Sequence, residues 1–144
     1  MSDNIMIVTT VDPLAMPPEE RRNAAFALLC ELQPEGEMPE LLVSDMPDFF
    51  FGAEAAGPVF CPFCGTDIDH WFYGDVGRWG EGDRRVLTTV TPCCNPPTSL
   101  NDLDFDGEQG FGCVAMKLWN PGHEFEPAEL QQLEAALGVI WRYI

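Results

Sequence analysis

Cys61-Pro62-Phe63-Cys64-Gly65, answered downstream by Pro92-Cys93-Cys94-Asn95, is the stretch around which this 144-residue chain is organised. Zinc takes four ligands in a tetrahedron. Two cysteine pairs carried on two β-hairpin tips that fold together bring four thiolates within reach of one ion. Cys61, Cys64, Cys93 and Cys94 are therefore the expected metal ligands, zinc the expected ion and its role structural. Gly65 fits this reading, because a metal-binding knuckle turns sharply after its second cysteine and glycine accepts that turn. Adjacent cysteines on a strand project to opposite sides, so Cys93 and Cys94 need a bend, which Pro92 and Asn95-Pro96-Pro97 supply. His70 is the reserve ligand should one of that pair point away.

Rival readings of the same residues are weaker. Cys-Pro-Phe-Cys also suits a glutaredoxin-type dithiol, but that chemistry wants the first thiolate at a helix N-terminus inside a βαβ unit, and Gly65-Thr66-Asp67 interrupts any helix there. Disulfide-linked or plain buried thiols are the remaining alternative. The start, Met1-Ser2-Asp3-Asn4, has neither the charged nor the apolar region of a secretory leader, which points to a cytoplasmic protein with reduced thiols. A zinc deaminase needs His-x-Glu ahead of its cysteine pair, and no histidine precedes Cys61.

Charge narrows the partners. Asp and Glu number 24 against 7 Lys and Arg, a net charge of −17 and a pI near 4.1. Nucleic acid and anionic membrane surfaces both require a basic footprint, so neither is expected as a partner. No apolar run approaches the roughly 20 residues of a membrane span. A field of this sign attracts a basic protein surface instead, although acidity also serves solubility alone.

Working outward, length and a 46% hydrophobic content suit a single domain over 1–144, with 58–98 as a zinc-ribbon-like subdomain. Ile5 to Val11 reads as a central strand. Pro17-Pro18-Glu19-Glu20 opens a helix with a buried stripe of Ala25, Leu28, Leu29 and Leu32, widened by Phe26 and stopped at Pro34-Glu35-Gly36. Cys30, on the flank of the stripe, reads as a small core residue. Glu40 to Val43 and Phe49 to Gly52 read as two short strands, and of three consecutive Phe at least one must face outward or lie beneath the segment from Gly52 to Gly57. His70 to Tyr73 reads as an aromatic strand, Gly74 to Arg85 as a mobile hairpin tip, and Val86 to Thr91 as the strand that delivers Cys93 and Cys94.

Asp102-Leu103-Asp104-Phe105-Asp106-Gly107 matches the opening of an EF-hand loop, but Cys113 stands where the bidentate Glu belongs and no helices flank it. A strand with Leu103 and Phe105 inward is expected there. Phe111 to Trp119 is another strand, carrying Cys113 as a core thiol. Pro127 to the C-terminus has Leu130, Leu133, Leu137, Ile140, Trp141 and Ile144 at helical spacing, and Gly138 inside that helix suggests close approach to a strand. The class is thus α+β: a mixed or antiparallel sheet with two packed helices and a zinc-ribbon-like β-hairpin insert.

From Cys61 to Trp119 the chain resembles a set of small uncharacterised bacterial proteins with a zinc-ribbon-like insert. The resemblance rests on Cys-Pro-x-Cys-Gly, Pro-Cys-Cys, Thr98-Ser99-Leu100-Asn101-Asp102-Leu103, Gly110-Phe111 and Trp119-Asn120-Pro121. It implies Cys61, Cys64, Cys93 and Cys94 as ligands and brings no catalytic residue and no established activity. Asn95 stands where those proteins usually have Gly, and asparagine still tolerates a left-handed turn.

Catalytic constellations are missing from the sequence. His70 and His123 sit in unrelated contexts, His123-Glu124 does not continue to a second histidine, and no Gly-x-Ser-x-Gly elbow occurs. The expected function is that of an acidic, zinc-stabilised, non-enzymatic protein-binding factor of the immunity or adaptor kind, with Phe49 to Phe51 and Trp79 as candidate anchors. A metal-dependent enzyme is the alternative.

Overall fold

The computed structural model describes residues 4–51, 58–105 and 109–138, and the main chain of 141–143. In chain order the elements are β1 (Ile5–Thr10), α1 (Glu19–Leu32), β2 (Glu37–Phe51), β3 (Val59–Phe60), α2 (Asp69–Glu81), β4 (Thr88–Val90), β5 (Pro97–Ser99), β6 (Asp104–Phe105), β7 (Gln109–Trp119), α3 (Pro127–Leu137) and β8 (Trp141–Tyr143). Four strands form an antiparallel sheet in the order β2-β7-β1-β8, and β3-β6 and β4-β5 form two small antiparallel pairs. The α+β class with an antiparallel sheet is what the sequence predicts.

One half of the molecule is the sheet with α1 and α3. Alternation along β1 and β7 turns Met6, Val8, Met116 and Leu118 to one face, where Ala25 and Leu29 of α1 and Leu133 and Leu137 of α3 close over them. Both helices follow expectation at their starts. Glu19 and Glu20 occupy the positive end of α1, and α3 opens on a capping box in which the Glu129 carboxylate accepts from the Glu126 amide at 3.0 Å, with Pro127 at the first position. Buried Gln33, just past α1, donates to the His123 carbonyl and accepts from the Gly122 amide, tying that helix to the loop before α3.

Several boundaries differ from the sequence reading. The last helix stops at Leu137, because Gly138 takes φ 82° and caps it in the left-handed region; Gly138 ends the helix rather than lying inside it. Trp141 belongs to β8, which pairs with β1, while Ile140 and Ile144 lie outside the described residues. The two short strands expected over 40–43 and 49–52 are one strand, β2, whose register against β7 shifts between Val43 and Asp48; Gly52 to Gly57 fall outside the described residues.

The largest correction concerns 70–85. His70 to Tyr73 is helical and so is most of the expected hairpin tip: both belong to α2, which runs to Glu81. Ile68, Phe72, Val76 and Trp79 recur at helical spacing and join one core with Val59, Leu87, Leu100, Leu103 and Phe111. Gly74, Gly77 and Gly80 lie on the opposite side, where an added Cβ would meet nothing within 4 Å. A helix rather than a hairpin therefore joins the two cysteine pairs, and the helices number three among the described residues, not two.

Asn101 and Arg84 help to fasten the cysteine-bearing half to the sheet. Asn101 is buried; its side-chain amide donates to the Val11 carbonyl at 3.2 Å and its oxygen accepts from the Phe111 amide at 3.1 Å. Arg84 donates to the Pro47 carbonyl at 3.0 Å and pairs with Asp48 at 3.3 Å. Around these contacts Phe111 packs against Phe49 and Trp79, each with centroids 5.0 Å apart, so Phe49 and Trp79 are half-buried against the core of the seam. Phe50 packs with Leu42 on the far face of the sheet, and Phe51, 50% exposed, is the outward-facing member of the three.

Candidate metal centre

The first cysteine pair stands on a tight turn. The Phe60↔Asp67 bridge closes its base, the Cys61 amide donates to the Thr66 carbonyl at 2.9 Å, and the Gly65 amide donates back to the Cys61 carbonyl at 2.9 Å. Gly65 takes φ 74°, the left-handed conformation that the knuckle reading requires of it. The second pair stands on the turn between β4 and β5, where Pro92 and Pro97 bracket the bend that lets both sulfurs face the same way. The bend expected at Cys93-Cys94 is therefore present.

These two turns bring Cys61, Cys64, Cys93 and Cys94 together, with all four Sγ atoms within 4.8 Å of one another and Cys64 Sγ 3.4 Å from Cys93 Sγ. Four sulfurs at about 2.3 Å from a tetrahedral zinc lie about 3.8 Å apart, so the spacing fits the ion without rearrangement of either turn. Cys61 is buried, Cys94 half-buried, and Cys64 and Cys93 are exposed. None of the four is in a disulfide.

The site is electrostatically divided when no cation is present. Burial opposes ionisation of Cys61, but the Thr91 hydroxyl and the Phe63 and Cys64 amides outweigh it and hold this thiol down at about 6. Cys64 is lowered as well, chiefly by the Thr66 hydroxyl and amide. Cys93 is raised by burial and by Cys64, while Cys94 is pushed up to about 12 by its contact with Cys64 and then by burial. Four adjacent thiols cannot all ionise against one another's charge. A dication removes that conflict, since thiolates are the metal-binding form and binding expels the remaining protons.

The other predicted chemistry falls elsewhere. His70 is exposed and outside the sulfur cluster; with Asp67, Asp69, Trp71 and Pro92 it borders an open cleft of about 570 Å³ beside the site. Cys61 stands on a strand-to-turn junction ahead of Asp69, the first residue of α2, and so lacks the helix N-terminus of a redox dithiol. Cys30 is half-buried in α1, and Cys113 is a buried thiol directed at the Pro13 carbonyl at 3.4 Å, raised by burial and by Asp48. Leu103 is buried and Phe105 half-buried, as expected, but the strand is shorter than the sequence suggests: Leu100–Asp102 form a 3-10 helix, only Asp104–Phe105 is strand, and Asp106 and Gly107 lie outside the described residues. Sequence reasoning missed Asn101 and Arg84 as the ties between the two halves. Neither stands in a periodic pattern that would mark it.

No family model, no curated protein and no solved structure matches the chain. No helix among the described residues is long and apolar enough to cross a membrane.

Proposed function

We propose that Cys61, Cys64, Cys93 and Cys94 hold one structural zinc ion, and that the chain is a cytoplasmic, non-enzymatic binding protein of the immunity or adaptor kind with a basic protein as its partner. The observation that carries this reading is the closed set of four sulfur donors. Four thiolates complete a tetrahedral shell and leave no coordination position for a substrate or an activated water, which a metal-dependent enzyme would need. The ion's contribution is then to staple two turns carried on strand pairs only two or three residues long.

The partner follows from charge. A net charge of −17 steers cationic surfaces toward the protein and repels phosphate backbones. The first 57 residues alone carry 11 acids and two arginines. Capture of partners from the native host at low and moderate salt, followed by stopped-flow association, tests this. Enrichment of basic proteins, with an association rate that falls as the Debye length contracts from about 30 Å at 0.01 M to about 8 Å at 0.15 M, is expected. Partners of no particular charge, binding at salt-independent rates, would reduce the acidity to a solubility feature.

A further inference from the structure

We propose that the outer edge of β2, from Glu40 to Asp45, receives an extended basic segment of the partner as an added antiparallel or parallel strand. This rests on the protein-binding reading above and assigns it a surface. β2 is an edge strand: Glu40 to Val43 pair in register with β7, Ser44 and Asp45 open the irregular stretch that follows, and among the described residues no strand pairs with its other side. An unpaired edge presents a row of amides and carbonyls that bond to another extended chain. Pro39 and Pro47, which cannot donate to a ladder, delimit the available window, and Glu40, Val43 and Asp45 within it are exposed.

The charge on this strand selects its occupant. Over Glu37–Phe51 it carries four carboxylates, Glu37, Glu40, Asp45 and Asp48, and no cationic residue. Two copies pairing edge to edge would bring carboxylates against carboxylates, which disfavours a second copy of this chain. A lysine- or arginine-rich strand meets the same groups favourably. The molecule already contains one such contact: the Arg84 guanidinium reaches the C-terminal end of this window, bonding the Ser44 hydroxyl at 3.4 Å, and just beyond it bonds the Pro47 carbonyl at 3.0 Å and pairs with Asp48 at 3.3 Å. A cationic side chain that reads main-chain carbonyl and carboxylate together is the interaction a basic strand repeats along Glu40 to Asp45.

The probe is a short alternating lysine–valine peptide, added to the full chain as purified at low salt, with an otherwise identical peptide N-methylated at alternate residues as control. Amide exchange at residues 40–45 slows about tenfold or more with the first peptide, and the methylated peptide, unable to complete a ladder, binds about tenfold more weakly. The exposed double substitution Glu40→Lys/Asp45→Lys weakens the unmodified peptide by a similar factor. Equal binding of the methylated peptide, protection elsewhere on the molecule, or concentration-dependent self-association through β2 would overturn the strand-addition proposal while leaving a basic partner in place. If neither cationic peptide binds at low salt, the strand-addition proposal and the basic-partner reading both fall.

Discussion

The sheet half and the cysteine half of this protein solve the same problem with different means. Where α1 and α3 cover β1 and β7, long complementary elements exclude water from Met6, Val8, Leu29, Met116, Leu118, Leu133 and Leu137, and apolar burial is sufficient. Across the seam, β3, β4, β5 and β6 are two or three residues long, and the apolar cluster around Phe72 lies under a single helix that contains three solvent-facing glycines. Strand pairs this short are marginal alone. The four cysteines stand at the ends of these short strands, where a cross-link contributes most.

The largest expected effect comes from removing the proposed zinc ion. Structural zinc contributes about 10 kcal/mol or more to the folding of isolated small zinc domains, and chelation should release amide protection first over residues 58–105 while β1, β7, α1 and α3 stay protected. Simultaneous loss in both halves, read by hydrogen exchange, would show that they are one cooperative unit and erase the contrast.

The opposite perturbation sharpens it. Leu133→Ala, at a fully buried position between α3 and the sheet, should cost about 2–5 kcal/mol by thermal or denaturant unfolding. Metal affinity in this variant should stay at the wild-type value under conditions where the chain remains folded. A matching fall in zinc affinity would mean the centre depends on the sheet core.

Legibility differed between the halves for the same physical reason. β1, β7 and the stripe of α1 bury whole faces, and a buried face writes its period into the residues; Leu28, Leu29 and Leu32 could be read that way. In the cysteine half the sulfur spacing was legible, because chemistry fixes it, but α2 was not. His70-Trp71-Phe72-Tyr73 is rich in strand-preferring aromatics, and Gly74, Gly77 and Gly80 each lower helix propensity by about 1 kcal/mol relative to Ala. Packing of Phe72, Val76 and Trp79 into one core overrides both preferences. The interval between Ile68, Phe72, Val76 and Trp79 was the available signal. At the C-terminus, a period that continued through Ile140 and Trp141 concealed the stop at Gly138, which only a left-handed cap explains.

Those glycines give a direct check. Gly77 is exposed in mid-helix with open space around it, so Gly77→Ala should raise stability by about 1 kcal/mol. A neutral or negative change, measured by denaturant unfolding, would restore the hairpin reading of 70–85.

The smallest effect is at the start of α3. Acceptance of the Glu126 amide is the first cause of a carboxyl pKa below the ordinary range at Glu129, and His123, 3.0 Å away, adds to it. A lowered folded value means the contribution is complete above the unfolded carboxylate pKa and is lost as pH falls through the folded one. Glu129→Gln retains a cap acceptor but not the charge, and should cost about 0.5 kcal/mol near neutrality, with the difference from wild type vanishing in acid. A difference that persists unchanged at low pH would assign the effect to packing.

Metal analysis joined to X-ray absorption, on protein purified without added metal, reads whether the four sulfurs close on one zinc ion. About one zinc per chain, surrounded by four sulfur neighbours near 2.3 Å and no nitrogen or oxygen, is the expected result. Zinc well below one equivalent with Cys61, Cys64, Cys93 and Cys94 paired as disulfides, or a shell containing a histidine or a water, would contradict it.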